Sequence, residues 1–505
     1  MQIKNFQPRP YQLNIIKTCK EKNTLVCIPT GLGKTKIGIL LAIEQLNKFP
    51  NTKILVLTPT RPLANQIYNE FKECTTIEES KIILLTGKIN PIKRKELYDL
   101  VNIIVATPQT IQEDIENQRL NLSDFSLLII DEAHRSREKF ANTIVAKEYI
   151  KSSNHKKVLA LTASPGSTKA KIEEICLNLS IEAIEIRSET DEDVMEFVQE
   201  KSAEYINLEL PQEIKNIHNL IKDFYKSKLE NVKSFNINKP IAYINKVDLI
   251  NLQIRLQKEL KNKNNAAFYG LFLVAQLLKL SHAMEMLETQ GLNSLNDFLI
   301  KLESEDTKSA QAISKDPNII KAKNLTKELL EKNIDHPKIE KLKEITKKAL
   351  DEKSNSRIII FATYRNTVDN LVKTLNLMNI KTTKLVGQKE GLTQKQQIEA
   401  IEEFNSGKYN CLVTTSIGEE GIHIGEADIA IFFDNTPSSI RKIQRSGRVG
   451  RLKPGRVIFM ITTGTRDSAY FWKSKRDESK MKNILYKMKG KQELNIKKQK
   501  SLKEF

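Results

Sequence analysis

Over residues 24–186, short apolar runs alternate with amphipathic stretches. The runs at 24–28, 53–57, 81–85, 103–106, 127–131, 158–162 and 182–186 are too short for helices and are bounded by turn residues, so each reads as a strand. Segments with apolar residues at helical spacing, such as 34–48, lie between them. Strand–helix alternation of this kind predicts an α/β fold with a parallel sheet covered on both faces. Chemistry then belongs at the carboxyl ends of the strands. Thr30–Thr35, Thr58–Pro62, Thr107–Gln109, Asp131–His134 and Thr162–Ser164 each follow a predicted strand end.

From about Asn207 to Asp335 the pattern changes. Gly270 and Gly291 are the only glycines there, and apolar residues recur at helical spacing, as in AAFYGLFLVAQLLKL. An all-helical insertion is predicted. Alternation resumes with RIIIF at 357–361 and continues through KTTKL, NCLVTT, DIAIFF and GRVIFM. The expected division is a first α/β lobe at 1–205, a helical insertion at 206–335, a second α/β lobe at 336–475 and a helical basic tail at 476–505.

Composition narrows the class. A chain of 505 residues, 40% apolar and 28% charged, has the make-up of a multidomain protein with sizeable cores. No unbroken apolar run approaches the ~18–20 residues of a membrane span, and MQIKNFQPRPYQ lacks a secretory stretch. A cytoplasmic, nucleoid-associated location is expected. The cysteines Cys19, Cys27, Cys74, Cys176 and Cys411 are scattered, which argues against a zinc site or disulfide framework. The net charge of +19 favours a polyanion partner. Eleven Lys/Arg face four Asp/Glu over 215–263, and twelve face four over 473–505, so those stretches hold fifteen of the nineteen surplus charges (7 + 8). Solvated helix faces explain either run alone. Their position beside the α/β lobes favours phosphate contact.

The chemistry-bearing motifs fit one scheme. PTGLGKT at 29–35 (Pro29, Thr30, Gly31, Leu32, Gly33, Lys34, Thr35) has the make-up of a triphosphate cradle, although Ile28 stands where the strict pattern has its first glycine. Its glycines let backbone N–H groups approach the phosphates, Lys34 reaches the outer ones, and Thr35 is placed to ligate Mg²⁺. DEAH at 131–134 places Asp131 for Mg²⁺ and Glu132 for the attacking water. Two readings fit Thr162 and Ser164: a relay from His134 to the second lobe, or an ordinary turn before Pro165–Gly166. QRSGRVGR at 444–451 places Arg445, Arg448 and Arg451 at three-residue spacing. Gln444 is read as positioning water or phosphate, and Arg448 and Arg451 as an arginine finger. ATP and Mg²⁺ are therefore the expected cofactors.

RPYQ (9–12), PTGLGKT, TPTRPLANQ (58–66), ATPQT (106–110), DEAH, TASPGS (162–167), TSIGEEG (415–421) and QRSGRVGR together resemble a superfamily 2 helicase. IRSETDEDV (186–194), SHAMEMLETQGL (281–292), DHPKIEKLKEI (335–345) and PGRVIFMITTGTRDSAYFW (454–472) narrow the resemblance to the helicase portion of the archaeal Hef / FANCM family. It runs in order along essentially the whole chain. The resemblance implies two RecA-like lobes, with Arg9 and Gln12 against adenine. It implies nucleic-acid backbone contacts from Thr60, Arg61, Gly87, Thr107 and Thr110 in lobe one, and from Tyr364, Arg365, Gly387, Gln388 and Thr415 in lobe two. Hydroxyls and amides of this kind position phosphates without reading bases. His134, Thr162, Ser164, Gly418 and Glu420 are expected to couple the lobes. The insertion would be a thumb gripping branched DNA.

The pattern departs from the family at three places. His423 and Gly425 stand where relatives have Asp and Pro, so ribose contact is in doubt; His423 either donates a hydrogen bond there or lines the cleft. The chain stops at Phe505, before any XPF-type nuclease, so no DNA cleavage is expected. QKSLKEF places Gln499, Leu502 and Phe505 like a shortened PCNA-type sliding-clamp peptide. The expected function is an ATP-dependent helicase or translocase on forked or branched DNA in fork repair, of 3′ to 5′ polarity by resemblance. An RNA-directed ATPase of the RIG-I/Dicer type and a clamp-tethered scaffold with regulatory ATPase remain as alternatives.

Overall fold

The structure is a computed structural model that describes all residues except 88, 199–200, 238, 262–265, 388–390, 416–426, 439–454 and 490–505. Seven strands form the first sheet: β1 (Thr24–Cys27), β2 (Lys53–Leu57), β3 (Ile82–Leu85), β4 (Ile103–Ala106), β5 (Phe125–Ile130), β6 (Val158–Thr162) and β7 (Ala183–Ile186). All pair in parallel, in the order β3-β4-β2-β5-β6-β1-β7. Runs such as IIVA and FSLLII are buried on both faces, which is why they read as continuous apolar stretches. The expected strands thus form where the apolar runs placed them. Their connections are α1 (Pro10–Glu21), α2 (Lys34–Lys48), α3 (Arg61–Cys74), α4 (Pro91–Leu97), α5 (Pro108–Glu116), α6 (Ala141–Ser152), α7 (Lys169–Asn178) and the short α8 (Glu192–Met195). Proline in the first turn of α1, α3, α4 and α5 presets the helical φ where no N–H is needed.

The second sheet contains β8 (Lys201–Leu208), β9 (Ile358–Phe361), β10 (Thr382–Leu385), β11 (Cys411–Thr414), β12 (Ile429–Phe432) and β13 (Gly455–Thr462), in the order β10-β11-β9-β12-β13-β8. The expected boundary at 205/206 is corrected here. It falls inside β8, whose eight residues pair in parallel with β13. Tyr205 stacks on Phe459 with ring centroids 5.5 Å apart, anchoring this strand to the second lobe. The signal was weak because β8 is flanked by charge and sits at a sheet edge.

Between β8 and β9 the chain forms α9 (Gln212–Val232), α10 (Lys246–Lys261), α11 (Ala266–Thr289), α12 (Leu292–Glu303), α13 (Lys308–Ser314) and α14 (Pro317–Glu331). Helix α11 has 24 residues and contains an 18-residue stretch of mean hydropathy 1.3, enough in length and composition to cross a membrane. That differs from the expectation that no such segment exists. The reason is its position: α11 packs against α9, α10, α12 and α13 and is the central helix of the bundle.

The second lobe adds α15 (Pro337–Glu352), α16 (Arg365–Leu377) and α17 (Gln394–Asn405). The last described helix, α18 (Arg466–Met488), runs unbroken through the expected start of the tail at 476. Its Met481, Leu485 and Met488 are buried in the core of the first lobe. This part of the chain is a packed element between lobes, because its apolar residues share one helical face.

Candidate active site

The phosphate cradle is built at the entry to α2. Gly33 holds φ 72° and ψ 45°, and Gly31 holds φ 87°, left-handed values that favour glycine. A Cβ on Gly33 would lie 2.6 Å from Gln12 Nε2. Lys34 begins α2, and its Nζ is buried with no hydrogen-bond partner. A buried ammonium without a hydrogen-bond acceptor is costly, so this is where a phosphate oxygen fits. Pro29 and Thr30 are half-buried on the approach from β1, Leu32 is buried, and Thr35 is half-buried in the first turn of α2.

Arg9 and Gln12, expected against adenine, are tied into this cradle. Gln12 Nε2 lies 3.4 Å from the carbonyl oxygens of both Leu32 and Gly33, and Gln12 Oε1 accepts from the Arg9 N–H at 2.9 Å. Tyr11 donates its hydroxyl to Leu32 O at 2.7 Å, and Arg9 Nη1 donates to Tyr11 Oη at 3.2 Å. The Arg9 guanidinium also stands 4.9 Å from the centre of the Phe197 ring. Sequence reasoning missed Tyr11 and Phe197. Tyr11 reads as an ordinary apolar helix position until its hydroxyl finds the loop.

Sheet order brings the rest of this site together. β5, β6 and β1 are neighbours, so DEAH, Thr162–Ser164 and the cradle end adjacent strands. Glu132 takes a left-handed backbone, φ 51° and ψ 49°, rare for a residue with a side chain. Burial and the neighbouring Glu132 push the Asp131 carboxyl up to about 7, while Lys34 pulls the other way. Burial also acts to raise Glu132, but the adjacent His134 and the Lys34 charge outweigh it and hold it below the usual carboxylate range. Asp131 and Glu132 are adjacent buried carboxyls whose mutual repulsion a bound cation would relieve. Hard oxygen donors on Asp131 and Thr35 suit Mg²⁺, which takes one or two carboxylates and substrate phosphate.

The coupling residues form a chain of contacts. His134 Nδ1 lies 3.3 Å from Glu132 Oε2 and 3.3 Å from Thr162 Oγ1. The Ser164 amide donates to Thr162 Oγ1 at 3.1 Å, and Ser164 Oγ donates to Met481 Sδ at 2.9 Å. Thr162 and Ser164 thus touch His134 on one side and α18 on the other. Gly418, Glu420, Gln444, Arg448 and Arg451 lie outside the described residues, as do Gln388, His423, Gly425, Gln499, Leu502 and Phe505.

The nucleic-acid candidates of lobe one occupy the other half of the same edge. Thr60 and Arg61 follow β2, Thr107 and Thr110 follow β4, and Gly87 follows β3, three adjacent strands. Thr60 caps α3 by accepting from the Leu63 N–H at 3.5 Å. Thr107 and Thr110 hydroxyls are 2.9 Å apart, and a Cβ on Gly87 would meet Arg61 Nη2 at 3.5 Å. Beneath them sequence reasoning missed a buried polar knot. Arg94 Nε and Nη2 donate to the Asp114 carboxylate at 2.6 and 2.7 Å, and Tyr98 Oη donates to it at 2.6 Å. Burial alone would raise Asp114, but Arg94, Tyr98 and Arg119 hold it below the usual carboxylate range. The knot fixes α4 against α5, and so the spacing between Gly87 and Thr107.

In lobe two, Tyr364–Arg365, Thr415 and Gly387 follow β9, β11 and β10, again three adjacent strands. Tyr364 is half-buried against α11, its hydroxyl donating to Glu285 Oε1 at 3.4 Å and its ring 5.8 Å from His282. Arg365 Nε lies 3.5 Å from Asp369, and the Thr415 amide donates to Leu385 O at 3.2 Å. A buried network at Gln290 was not foreseen: its Nε2 donates to Asp434 Oδ2 at 2.9 Å, which also accepts from the Thr363 N–H at 2.7 Å. The helical bundle is thus bonded to the strand end that presents Tyr364.

Two parallel sheets, a phosphate cradle and an acid pair define a nucleotide-dependent motor of two lobes. Residues 9–172 match the DEAD/DEAH box helicase model, residues 337–453 the helicase conserved C-terminal domain, and residues 213–333 the model described as "Putative ATP-dependent RNA helicase, helical bundle". The chain is 41% identical over 490 residues to "Putative ATP-dependent RNA helicase MJ1505" of Methanocaldococcus jannaschii, covering 96% of this chain and 61% of that protein. It is 31% identical over 489 residues to the ATP-dependent DNA helicase mph1 of Neurospora crassa, covering 92% of this chain and 41% of that one. The chain therefore spans less than two thirds of these relatives. The crystal structure of the Pyrococcus furiosus Hef helicase domain superposes with a TM-score of 0.73 at 40% identity, over 92% of this chain and 98% of that one. This chain belongs to the Hef / FANCM family of DEAD/DEAH box helicases.

Proposed function

We propose that the chain is an ATP-dependent DNA helicase or translocase acting on forked or branched DNA during repair of stalled replication forks. The observation that carries this is the division of one sheet edge. The strands β1, β6 and β5 bear the cradle and the acid pair, while β2, β4 and β3 bear Thr60, Arg61, Thr107, Thr110 and Gly87. Hydrolysis and strand contact then share one rigid body, so a change at the phosphate is felt at the backbone contacts.

In the reaction, Lys34 neutralises the outer phosphates. A water oxygen bonds to the terminal phosphorus, the bond to the ADP oxygen breaks, and the Glu132 carboxylate takes the water proton. Asp131 and Thr35 would hold Mg²⁺, which supplies neutralising charge on the phosphates. His134 orients Glu132. Arg448 and Arg451, with Gln444, would complete the site when the lobes close.

The names of relatives divide between RNA and DNA: MJ1505 is called an RNA helicase and mph1 a DNA helicase. That division supports an RNA-directed ATPase as the second reading. ATP hydrolysis measured with forked DNA, linear duplex DNA and double-stranded RNA separates them. Strongest stimulation by the fork is expected, and strongest stimulation by double-stranded RNA overturns the DNA reading. Gln499, Leu502 and Phe505 are proposed to bind a PCNA-type sliding clamp. Clamp binding unchanged by deletion of 499–505 would sink that part.

A further inference from the structure

Helix α18 is built in three parts. At its start, Asp467 is buried in the second lobe, accepting from Lys338 Nζ at 2.8 Å, the Thr462 N–H at 2.8 Å and the Asn435 N–H at 3.0 Å. Arg466 reaches the bundle: its N–H donates to Glu288 Oε2 at 2.8 Å and its Nη1 to Ser281 O at 2.6 Å. At its end, Met481, Leu485 and Met488 enter the core of the first lobe, and Tyr486 Oη donates to Asp191 Oδ1 at 2.7 Å. Between these anchors lies KRDESK (475–480), with no buried residue. A helical segment polar on all sides is what crosses between separately packed bodies. At ~1.5 Å per residue, the 23 residues of α18 form a rod of about 34 Å.

The far anchor touches the coupling motif. Ser164, 1% exposed, donates its hydroxyl to the Met481 thioether, a weak acceptor, rather than to its own lobe's backbone. From Ser164 the contacts run through Thr162 and His134 to Glu132. We propose that α18 is a strut and Met481 a positioning residue. Displacement of the bundle or second lobe, applied at Arg466 and Asp467, moves Met481 against Ser164 and so sets His134 and Glu132 for water activation. This inference rests on the DNA-dependent ATPase reading and assigns its regulation to the part of α18 that lies beyond the 454–472 stretch.

The test is steady-state ATP hydrolysis by the full chain, with and without forked DNA. Three variants are compared with the unmodified chain: the double variant Asp477→Gly/Glu478→Gly, which softens the polar span and leaves both anchors intact, Met481→Ala, and Met481→Leu. The glycine pair should lower the DNA-stimulated kcat about fivefold and leave the unstimulated rate and the KM for ATP unchanged, and Met481→Ala should lower the stimulated kcat about fivefold. Met481→Leu keeps apolar volume without the acceptor, and its stimulated kcat should fall about twofold, between the unmodified chain and Met481→Ala. A stimulated unmodified chain with a glycine-pair variant stimulated to the same degree overturns the strut and leaves the functional reading standing. Equal loss of basal and stimulated rates in the glycine pair also overturns it, as simple destabilisation. An unmodified chain that hydrolyses ATP at one rate with and without any nucleic acid overturns the functional reading, and the strut with it.

Discussion

Lys338 and Asp467 form an ion pair 2.8 Å long with neither side chain exposed to solvent. It joins the first turn of α15 to the first turn of α18, across 129 residues of sequence. Asp467 is also an acceptor for Thr462 and Asn435, so its carboxylate is fully hydrogen-bonded, a condition under which a buried carboxylate is tolerated.

Asp467→Ala strands Lys338 in the interior and releases two backbone donors. A loss of about 3–5 kcal/mol is expected, read as a lower denaturation midpoint of the full chain. The double change Lys338→Met/Asp467→Leu should recover most of it. A single variant as stable as the parent would mean the pair is solvated in solution.

His336 gives a pH dependence with a definite sign. It is buried in the neutral form, Nε2 facing Glu288 O at 3.2 Å and Nδ1 accepting from the Lys338 N–H at 3.2 Å. Burial, with the nearby Lys338 charge, depresses its pKa to about 3 from 6.5. The unfolded chain therefore takes up a proton before the folded one does. Its contribution is complete above about pH 6.5 and is lost as pH falls toward 3. His336→Asn retains a cap for α15 and should flatten the stability profile between those values. An unchanged slope in denaturant midpoints at pH 7, 6, 5 and 4 would argue against this assignment.

Lys34→Ala should remove measurable hydrolysis, on the order of a 10²–10³-fold loss in kcat, because a buried donor aimed at the phosphates disappears. Full DNA-stimulated activity in that variant would refute the motor.

Gly33→Ala acts by a different route. The new methyl group would need φ near 72° and would displace Gln12 Nε2 from 2.6 Å. KM for ATP should rise about tenfold with little change in melting temperature, since strain of ~1–2 kcal/mol is confined to the loop. An isothermal titration with a non-hydrolysable ATP analogue measures the same effect directly. Unchanged affinity would show that the cradle adopts another conformation when occupied.

The strands and the phosphate motifs were legible because each depends on local pattern: β-branched runs between turn residues, and glycines at fixed spacing. Three of the four stretches that narrowed the family resemblance were legible only as letters. The structure gives their physical content. Asp335 Oδ1 accepts from the Leu292 N–H at 3.0 Å, His336 faces Glu288, Arg466 binds Glu288, and Lys338 binds Asp467. SHAMEMLETQGL, DHPKIEKLKEI and the 454–472 stretch therefore meet in one polar seam between bundle and second lobe. No periodicity reveals such a meeting, since partners 43 to 178 residues apart leave no local trace. The same holds for β8, whose partner β13 lies 254 positions later (Lys201 to Gly455), and for Met481 beside Ser164.

Placing β8 at the edge of the second sheet also has a consequence for how the chain is made. Emerging from a ribosome, Lys201–Leu208 must wait for residues 455–462 before its ladder can form. The first lobe waits longer still, since its core is completed by Met488. The second lobe is unfinished until residues 455–462 exist, and the first until Met488 does. A cut in the bundle would leave two fragments still holding one another through β8–β13 and α18, so the molecule is assembled as an interlocked pair rather than as beads on a string.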